Sequence, residues 1–260
     1  MEKLQYHGYE VAYRVAGNPS NPCIICLHPA FGDHRVFDDQ FNALSDSYFI
    51  LALDMLGHGQ THPARTSDLL DETIEHVRVL LDQYQVNKAH LLGVSLGSLV
   101  VQGFAYRYAE YTASVTAVGG YSIHKNNKAL QKAQNKEIGS WILKLLFNMD
   151  SFRKYIAKQS TYSQAAYQRM VQYTQAYTRK SLRYMQGMQK LFIDLDKPVQ
   201  YALLIVYGEF DLQIALQHGQ EWAKLEPGAT LEIISGAGHC ANMENPSDFN
   251  TLFEDFIAKH

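Results

Sequence analysis

The sequence has few cysteines, no long apolar run and little excess of either charge, and each shortage removes a class of protein. Three cysteines in 260 residues are too few, and odd in number, for a disulfide-stapled secreted domain, so reduced thiols and a cytoplasmic location are expected. Cys23 and Cys26 have C-x-x-C spacing, but they lie in the apolar run Cys23-Ile24-Ile25-Cys26-Leu27. Strand residues three apart face opposite sides of a sheet. Buried structural thiols are expected there, rather than redox or zinc chemistry. No stretch of about 18 apolar residues occurs, so no membrane-spanning helix is expected. The opening residues Met1-Glu2-Lys3-Leu4-Gln5-Tyr6 lack an apolar core, so no secretion signal is expected. No H-E-x-x-H or comparable ligand spacing is present, and neither a metal nor a cofactor is expected. No nucleic-acid partner is expected, and no repeat or low-complexity segment is found. The oligomeric state is not legible.

What is present is an alternation of strand and helix patterns. An apolar content of 47% and a charged content of 19% suit a soluble globular chain, and 260 residues can bury a sizeable core. The opening reads as a hairpin, Leu4-His7 and Tyr9-Val15, turning at Gly8. Buried strands follow at 23–27 and 49–53, before Ser95, and at 114–118, 202–207 and 230–234. Helical spacing at Leu70, Ile74, Val77 and Leu81 predicts a helix over about 67–84 with Ser67 as its N-cap. Further helices are expected after Ser95, over 214–225 and over 246–258. Near-continuous apolar strands alternating with helices predict a mostly parallel sheet covered on both faces, an α/β fold with an antiparallel N-terminal hairpin.

Residues 122–197 break this rhythm. They read as several amphipathic helices without a convincing strand, and divide the chain into a core of 1–121 plus 198–260 and a helical insertion. The insertion holds 14 basic and 4 acidic residues, leaving 9 basic and 22 acidic ones elsewhere. Such asymmetry suggests a segment with its own role. One reading is a solvated helical face; the other is a lid whose field draws in anionic substrates. The insertion's larger side chains, among them Trp141, Leu145, Phe152, Tyr155, Tyr162, Met185, Met188 and Phe192, are expected in its own core more than on a substrate.

The chemistry centres on Gly93-Val94-Ser95-Leu96-Gly97, set between an apolar strand and a helix. In that context the middle serine sits on a strained turn with its hydroxyl exposed. A Cβ two residues before or after it would collide with the neighbouring strand or helix, which only glycine avoids. Serine needs a base to take its proton, and the base needs a third group to fix its tautomer and stabilise its charge. The strand at 202–207 leads into Gly208-Glu209-Phe210-Asp211, and the strand at 230–234 into Ser235-Gly236-Ala237-Gly238-His239. Ser95, Asp211 and His239 are therefore the expected nucleophile, orienting acid and general base, with Glu209 the nearest competitor to Asp211. All three lie beyond strand C-termini, where parallel sheets build their sites. The loop His28-Pro29-Ala30-Phe31-Gly32 can offer the N–H of Ala30, paired with that of Leu96, to a developing oxyanion. Asp54 and His58 are expected as structural turn residues. His28 and His34 are expected to hydrogen-bond near the oxyanion loop. Cys240 has no second base and is not expected to be a nucleophile.

These segments, together with Asp54-Met55-Leu56-Gly57-His58-Gly59-Gln60-Thr61 and Glu244-Asn245-Pro246, resemble the α/β-hydrolase superfamily over essentially the full chain, in its capped serine-hydrolase form. Two departures stand out. Relatives usually have His-Gly where this chain has His28-Pro29; proline has no N–H, but the family's donor is the next residue, here Ala30. Relatives also often have Gly-Gly where this chain has Gly97-Ser98.

The resemblance implies an acyl-enzyme mechanism on a small ester, thioester or related acyl compound, with an anionic one suited to the basic insertion. Haloalkane dehalogenases and epoxide hydrolases of this fold use aspartate where Ser95 stands. Proline-type aminopeptidases use acidic cap groups, and this insertion is basic. A C–C bond hydrolase or lyase on a carboxylate is the alternative enzyme, although the menaquinone-pathway lyase has an arginine just after the elbow, where this chain has Ser98-Leu99. A triad-bearing ligand sensor is the alternative outside catalysis. Fold alone does not choose among them.

Overall fold

Segments of five to eight residues bounded by turns become the strands of one sheet, and the parallel strands from β3 onward end along a common edge. The structure, a computed structural model, describes residues 1–124, 148–195 and 197–260. The strands are β1 (Glu2–Tyr6), β2 (Tyr9–Ala16), β3 (Cys23–Leu27), β4 (Phe49–Leu53), β5 (Ala89–Val94), β6 (Thr112–Val118), β7 (Ala202–Gly208) and β8 (Thr230–Ile234). Their order is β1-β2-β4-β3-β5-β6-β7-β8. β1 pairs antiparallel with β2, and β2 with β4; the remaining pairs are parallel. His7 and Gly8 turn the first hairpin with φ of 42° and 84°, the left-handed pair that a two-residue turn requires.

Helices cover both faces. They are α1 (Asp38–Leu44), α2 (Thr73–Gln83), α3 (Leu96–Arg107), α4 (Met149–Ser160), α5 (Gln164–Tyr173), α6 (Gln213–Leu225), α7 (Ala241–Glu244) and α8 (Pro246–Ile257). Two apolar clusters result, one on each face. Cys23, Ile25 and Leu27 belong to the first, and Ile24 and Cys26 to the second. The two cysteines thus point to opposite sides. All three cysteines are buried and free, and burial pushes the Cys23 thiol up to about 12. No helix among the described residues is long and apolar enough to cross a membrane.

Two local expectations need correction. The helix expected from Ser67 begins later, as a 3-10 turn at Leu70–Glu72 running into α2. Leu69 is extended, because the preceding stretch is tied elsewhere. Asp68 accepts a hydrogen bond from the Tyr9 hydroxyl at 3.0 Å, and Glu72 accepts one from Tyr6. Helix α1 was not anticipated: at seven residues it is too short to show a helical period.

Between β6 and β7 the described residues form α4, α5 and a 3-10 stretch at Arg179–Leu191. Trp141 and Leu145 lie outside the described residues. Asn148 and Ser163 cap α4 and α5 by accepting from the N–H groups of Ser151 and Ala166, the usual role of such residues at an N-terminus. Four of the basic residues described here face acidic partners or carbonyls, Arg153 among them. Arg169 pairs with Asp39 at 2.8 Å, Lys190 with Asp71 at 3.1 Å, and Arg183 donates to the Thr66 carbonyl at 2.6 Å. Part of the charge asymmetry therefore fastens this connection to the acidic remainder of the chain.

A Cβ on Gly97 would lie 2.0 Å from the Leu27 carbonyl oxygen, whereas one on Gly228 would meet nothing within 4 Å. Gly97→Ala is expected to lower stability by about 1–3 kcal/mol or more, and Gly228→Ala to stay within about 0.5 kcal/mol of wild type, as read from urea midpoints. Burial also pushes the His58 and His76 imidazoles down to about 3 and that of His90 to about 4. Each is neutral when folded but takes up a proton once unfolded below about pH 6.5, so stability is retained above that pH and lost as pH falls toward 4. The urea midpoint is expected to fall between pH 6.5 and 4.5 with an uptake of about two to three protons on unfolding. A flat midpoint across that range would contradict this.

Candidate active site

Ser95 stands between β5 and α3 with φ 51° and ψ −111°, a left-handed conformation that is costly for a residue with a side chain. The surroundings enforce it. A Cβ on Gly93 would lie 2.5 Å from the Gly97 carbonyl oxygen, so the strand and helix arms of the turn can approach only as glycines. The Ser95 N–H donates to the Val118 carbonyl at 2.7 Å, which fixes the turn to β6. The Ser98 hydroxyl donates to the Ser95 carbonyl at 2.6 Å, so Ser98 braces the bend from the first turn of α3. Gly120 leaves room for that hydroxyl, since a Cβ there would meet Ser98 Oγ at 2.2 Å.

A cavity of about 110 Å³ opens at this turn, lined by Pro29, Ala30, Ser95, Leu96 and His239 with a largely apolar wall that includes Phe31, Leu99, Ile156, Met185, Met188 and Leu212. The structure thus brings both predicted oxyanion donors to one cavity with the predicted nucleophile and base. Leu96 begins α3, so its N–H has no carbonyl four residues back within the helix. Phe31 follows Ala30 with φ 70°, held by edge-on packing against Phe152 and Tyr177 at 5.0 and 4.8 Å.

Asp211 follows β7 and its carboxylate is buried. Oδ1 lies 2.9 Å from His239 Nδ1 and accepts from the Leu212 N–H at 2.7 Å. Oδ2 is buried without a hydrogen-bond partner among the described residues. The competitor Glu209 is engaged elsewhere, accepting from the Gly236 N–H at 3.0 Å. The sequence reading missed Gly119, which passes beneath the imidazole with φ 56°, where a Cβ would sit 2.8 Å from His239 Nδ1. The Gly119-Gly120 pair after β6 was the signal available for it.

The remaining polar residues near the oxyanion loop act within the structure. His28 Nε2 accepts from the Met55 N–H at 3.0 Å, so Nδ1 carries the proton and donates to the Pro29 carbonyl at 2.8 Å. Burial lowers its affinity for a second proton. Asp54 accepts from the His34 and Gln60 N–H groups at 2.9 and 2.8 Å and lies 2.8 Å from His34 Nδ1. Burial raises its carboxyl, but the His34 contacts outweigh this and hold it below the ordinary carboxylate value. Cys240 is buried, and burial pushes its thiol well up, away from thiolate chemistry. Among the described residues, one group could hold a metal: His7, Asp68 and Glu72, with ligating atoms within 4.8 Å of one another. It does not line this cavity, and its carboxylates already accept from tyrosine hydroxyls.

The comparisons agree with this architecture. The model of the alpha/beta hydrolase family matches residues 24–252. In sequence, the chain is similar to a dihydrolipoyllysine-residue acetyltransferase component of an acetoin cleaving system from Cupriavidus necator, at 26% identity over 96% of this chain and 67% of that protein. It is also similar to a putative 2-succinyl-6-hydroxy-2,4-cyclohexadiene-1-carboxylate synthase from Bacillus subtilis, at 22% identity over 95% of each. In structure it resembles a thermophilic esterase from Thermogutta terrifontis, with a TM-score of 0.84, 16% identity and 100% and 99% of the two chains covered. It also resembles a meta-cleavage product hydrolase from Pseudomonas fluorescens, with a TM-score of 0.77, 18% identity and 100% and 98% covered. With the match spanning all but the ends of the sequence, the chain belongs to the alpha/beta hydrolase family and is a hydrolase.

Proposed function

We propose that the chain is a serine hydrolase that cleaves a small ester or thioester through an acyl-enzyme, with residues 122–197 as its cap. The observation that carries this reading is the His239–Asp211 pair at 2.9 Å, opening on the cavity that Ser95 also lines. Nδ1 is engaged by Asp211, and Nε2 takes the Ser95 proton. Ser95 Oγ attacks the acyl carbon, the oxyanion accepts from the N–H groups of Ala30 and Leu96, and the protonated His239 delivers its proton to the leaving group. Water, deprotonated by the same nitrogen, then releases the acid. Each oxyanion donor contributes about 3–4 kcal/mol to the transition state in such sites.

The lining also bears on the substrate. No lysine, arginine, aspartate or glutamate is among the described residues of the cavity wall, and burying an unpaired carboxylate against apolar side chains is costly. An uncharged, apolar acyl group therefore fits better than the anionic one that the charge pattern suggests.

Intact mass after exposure to a fluorophosphonate is expected to show one adduct on wild type and none on Ser95→Ala or His239→Ala. Asp211→Asn is expected to lower kcat by about 10³–10⁴-fold. A folded wild type that stays unlabelled would favour a ligand sensor of the same fold. For the substrate, p-nitrophenyl butyrate is expected to exceed the corresponding hemisuccinate in kcat/KM by at least about tenfold, the worth of about 1.4 kcal/mol. A preference for the hemisuccinate would favour a carboxylate substrate, and with it C–C bond hydrolysis or a lyase.

A further inference from the structure

The loop that carries His239 is fastened on both sides of the imidazole, and on both sides to the same turn of the β6–β7 connection. On one side, the Gly238 N–H donates to Glu244 Oε2 at 2.6 Å. The same carboxylate accepts from the Tyr162 N–H at 2.8 Å and from the Ser163 N–H at 2.7 Å, both on Oε1. On the other side, the Cys240 N–H donates to the Ser160 carbonyl at 3.1 Å. The turn from Ser160 to Ser163, between α4 and α5, thus reaches the base loop through one direct hydrogen bond and one shared carboxylate. The fit leaves no slack: a Cβ on Gly238 would lie 2.7 Å from Glu244 Oε2 and 2.9 Å from the Tyr162 nitrogen.

The same turn also reaches the acid loop. The Tyr162 ring stacks on Phe210 with centroids 3.9 Å apart and planes 13° from parallel, and Phe210 is the residue before Asp211. The Phe210 N–H in turn donates to the Ala237 carbonyl at 2.8 Å, joining the acid and base loops behind the pair. Meanwhile Ile156, Gln159 and Ser160, at the end of α4, line the cavity. A group pressing on that wall is therefore one hydrogen bond away from the backbone of the base loop.

We infer that Glu244 is a positioning residue. Its carboxylate clamps the Tyr162–Ser163 turn onto the loop of His239, so that the imidazole is held in register with Asp211 only while that turn is seated. The inference rests on the reading of His239 as the base. Three backbone N–H groups converging on one carboxylate call for an acceptor at every position. A glutamine keeps the size of the side chain but puts an NH₂ group against an N–H donor, which loosens the clamp without opening a cavity. A displacement of about 1 Å at a catalytic group costs about 10²-fold in rate.

Glu244→Gln is therefore expected to slow fluorophosphonate labelling of Ser95 by about 10–100-fold, with the loss in kcat rather than KM. The low-field proton resonance of His239 Nδ1, assigned by its disappearance in His239→Ala, is expected to shift or broaden in the same variant. Glu244→Asp keeps the charge but shortens the side chain, withdrawing the acceptor from these N–H groups; it is expected to slow labelling several-fold and decides the matter if Glu244→Gln does not fold. Folded variants that label within twofold of wild type, with the Nδ1 resonance unmoved, would overturn the inference. Failure of wild type itself to label, or labelling of His239→Ala at the wild-type rate, would instead overturn the assignment of the base.

Discussion

The arrangement depends on one close approach, that of α3 to β3 at Gly97. Its α-carbon faces the Leu27 carbonyl so closely that even a methyl group would overlap it. This contact, with the close passage of Gly93 beneath Gly97, bends the chain sharply enough to drive Ser95 to positive φ. The strain is local, and the surrounding sheet holds it: the Ser95 N–H is bonded to β6, and α3 is buried along nearly its whole length. Strain of this kind persists only where neighbouring structure over-determines it. The same approach brings the first turn of α3 beside the loop after β3, so that Leu96 and Ala30 come to one cavity.

Around that turn, polar side chains divide between rigid supports and groups open to the cavity. His28, His34 and Asp54 stitch the loops after β3 and β4 together through backbone N–H and carbonyl groups. The His28 and His34 imidazoles hydrogen-bond to the Pro29 carbonyl and the Asp54 carboxylate, and neither residue lines the cavity. His239 differs: one nitrogen is held by a buried carboxylate while the residue itself faces the cavity. That contrast, more than the number of histidines nearby, separates the proposed base from its neighbours.

The charge asymmetry is a caution about reading electrostatics from counts. Clustered positive charge in the β6–β7 connection suggests a field that gathers anions, yet the described cations Arg169 and Lys190 pair with Asp39 and Asp71 at the seam with the rest of the chain. Opposite charges on the two sides of a seam serve docking, and the cavity wall holds no lysine, arginine, aspartate or glutamate among the described residues.

The sequence by itself determined the sheet, its parallel character and the place of each candidate residue at a strand end. Those features follow from local patterns: apolar runs for buried strands, Gly-x-Ser-x-Gly for a bend without room for Cβ atoms, and acidic and histidine residues directly after β7 and β8. It misjudged the start of α2, because Tyr6 and Tyr9, more than 50 residues away in sequence, hold the stretch before it. It passed over α1, which is too short to show a period. The sequence already favoured Asp211 over Glu209 by its match to the family's position; the tertiary structure brings Asp211 to His239 and Glu209 to the Gly236 N–H, because the two side chains meet different loops. The structure alone likewise brought Glu244 to the backbone of residues 162 and 163, 81 residues distant in sequence at the nearer contact. Convergence of backbone N–H groups on a carboxylate leaves no trace in residue type, because every residue except proline carries the same donor.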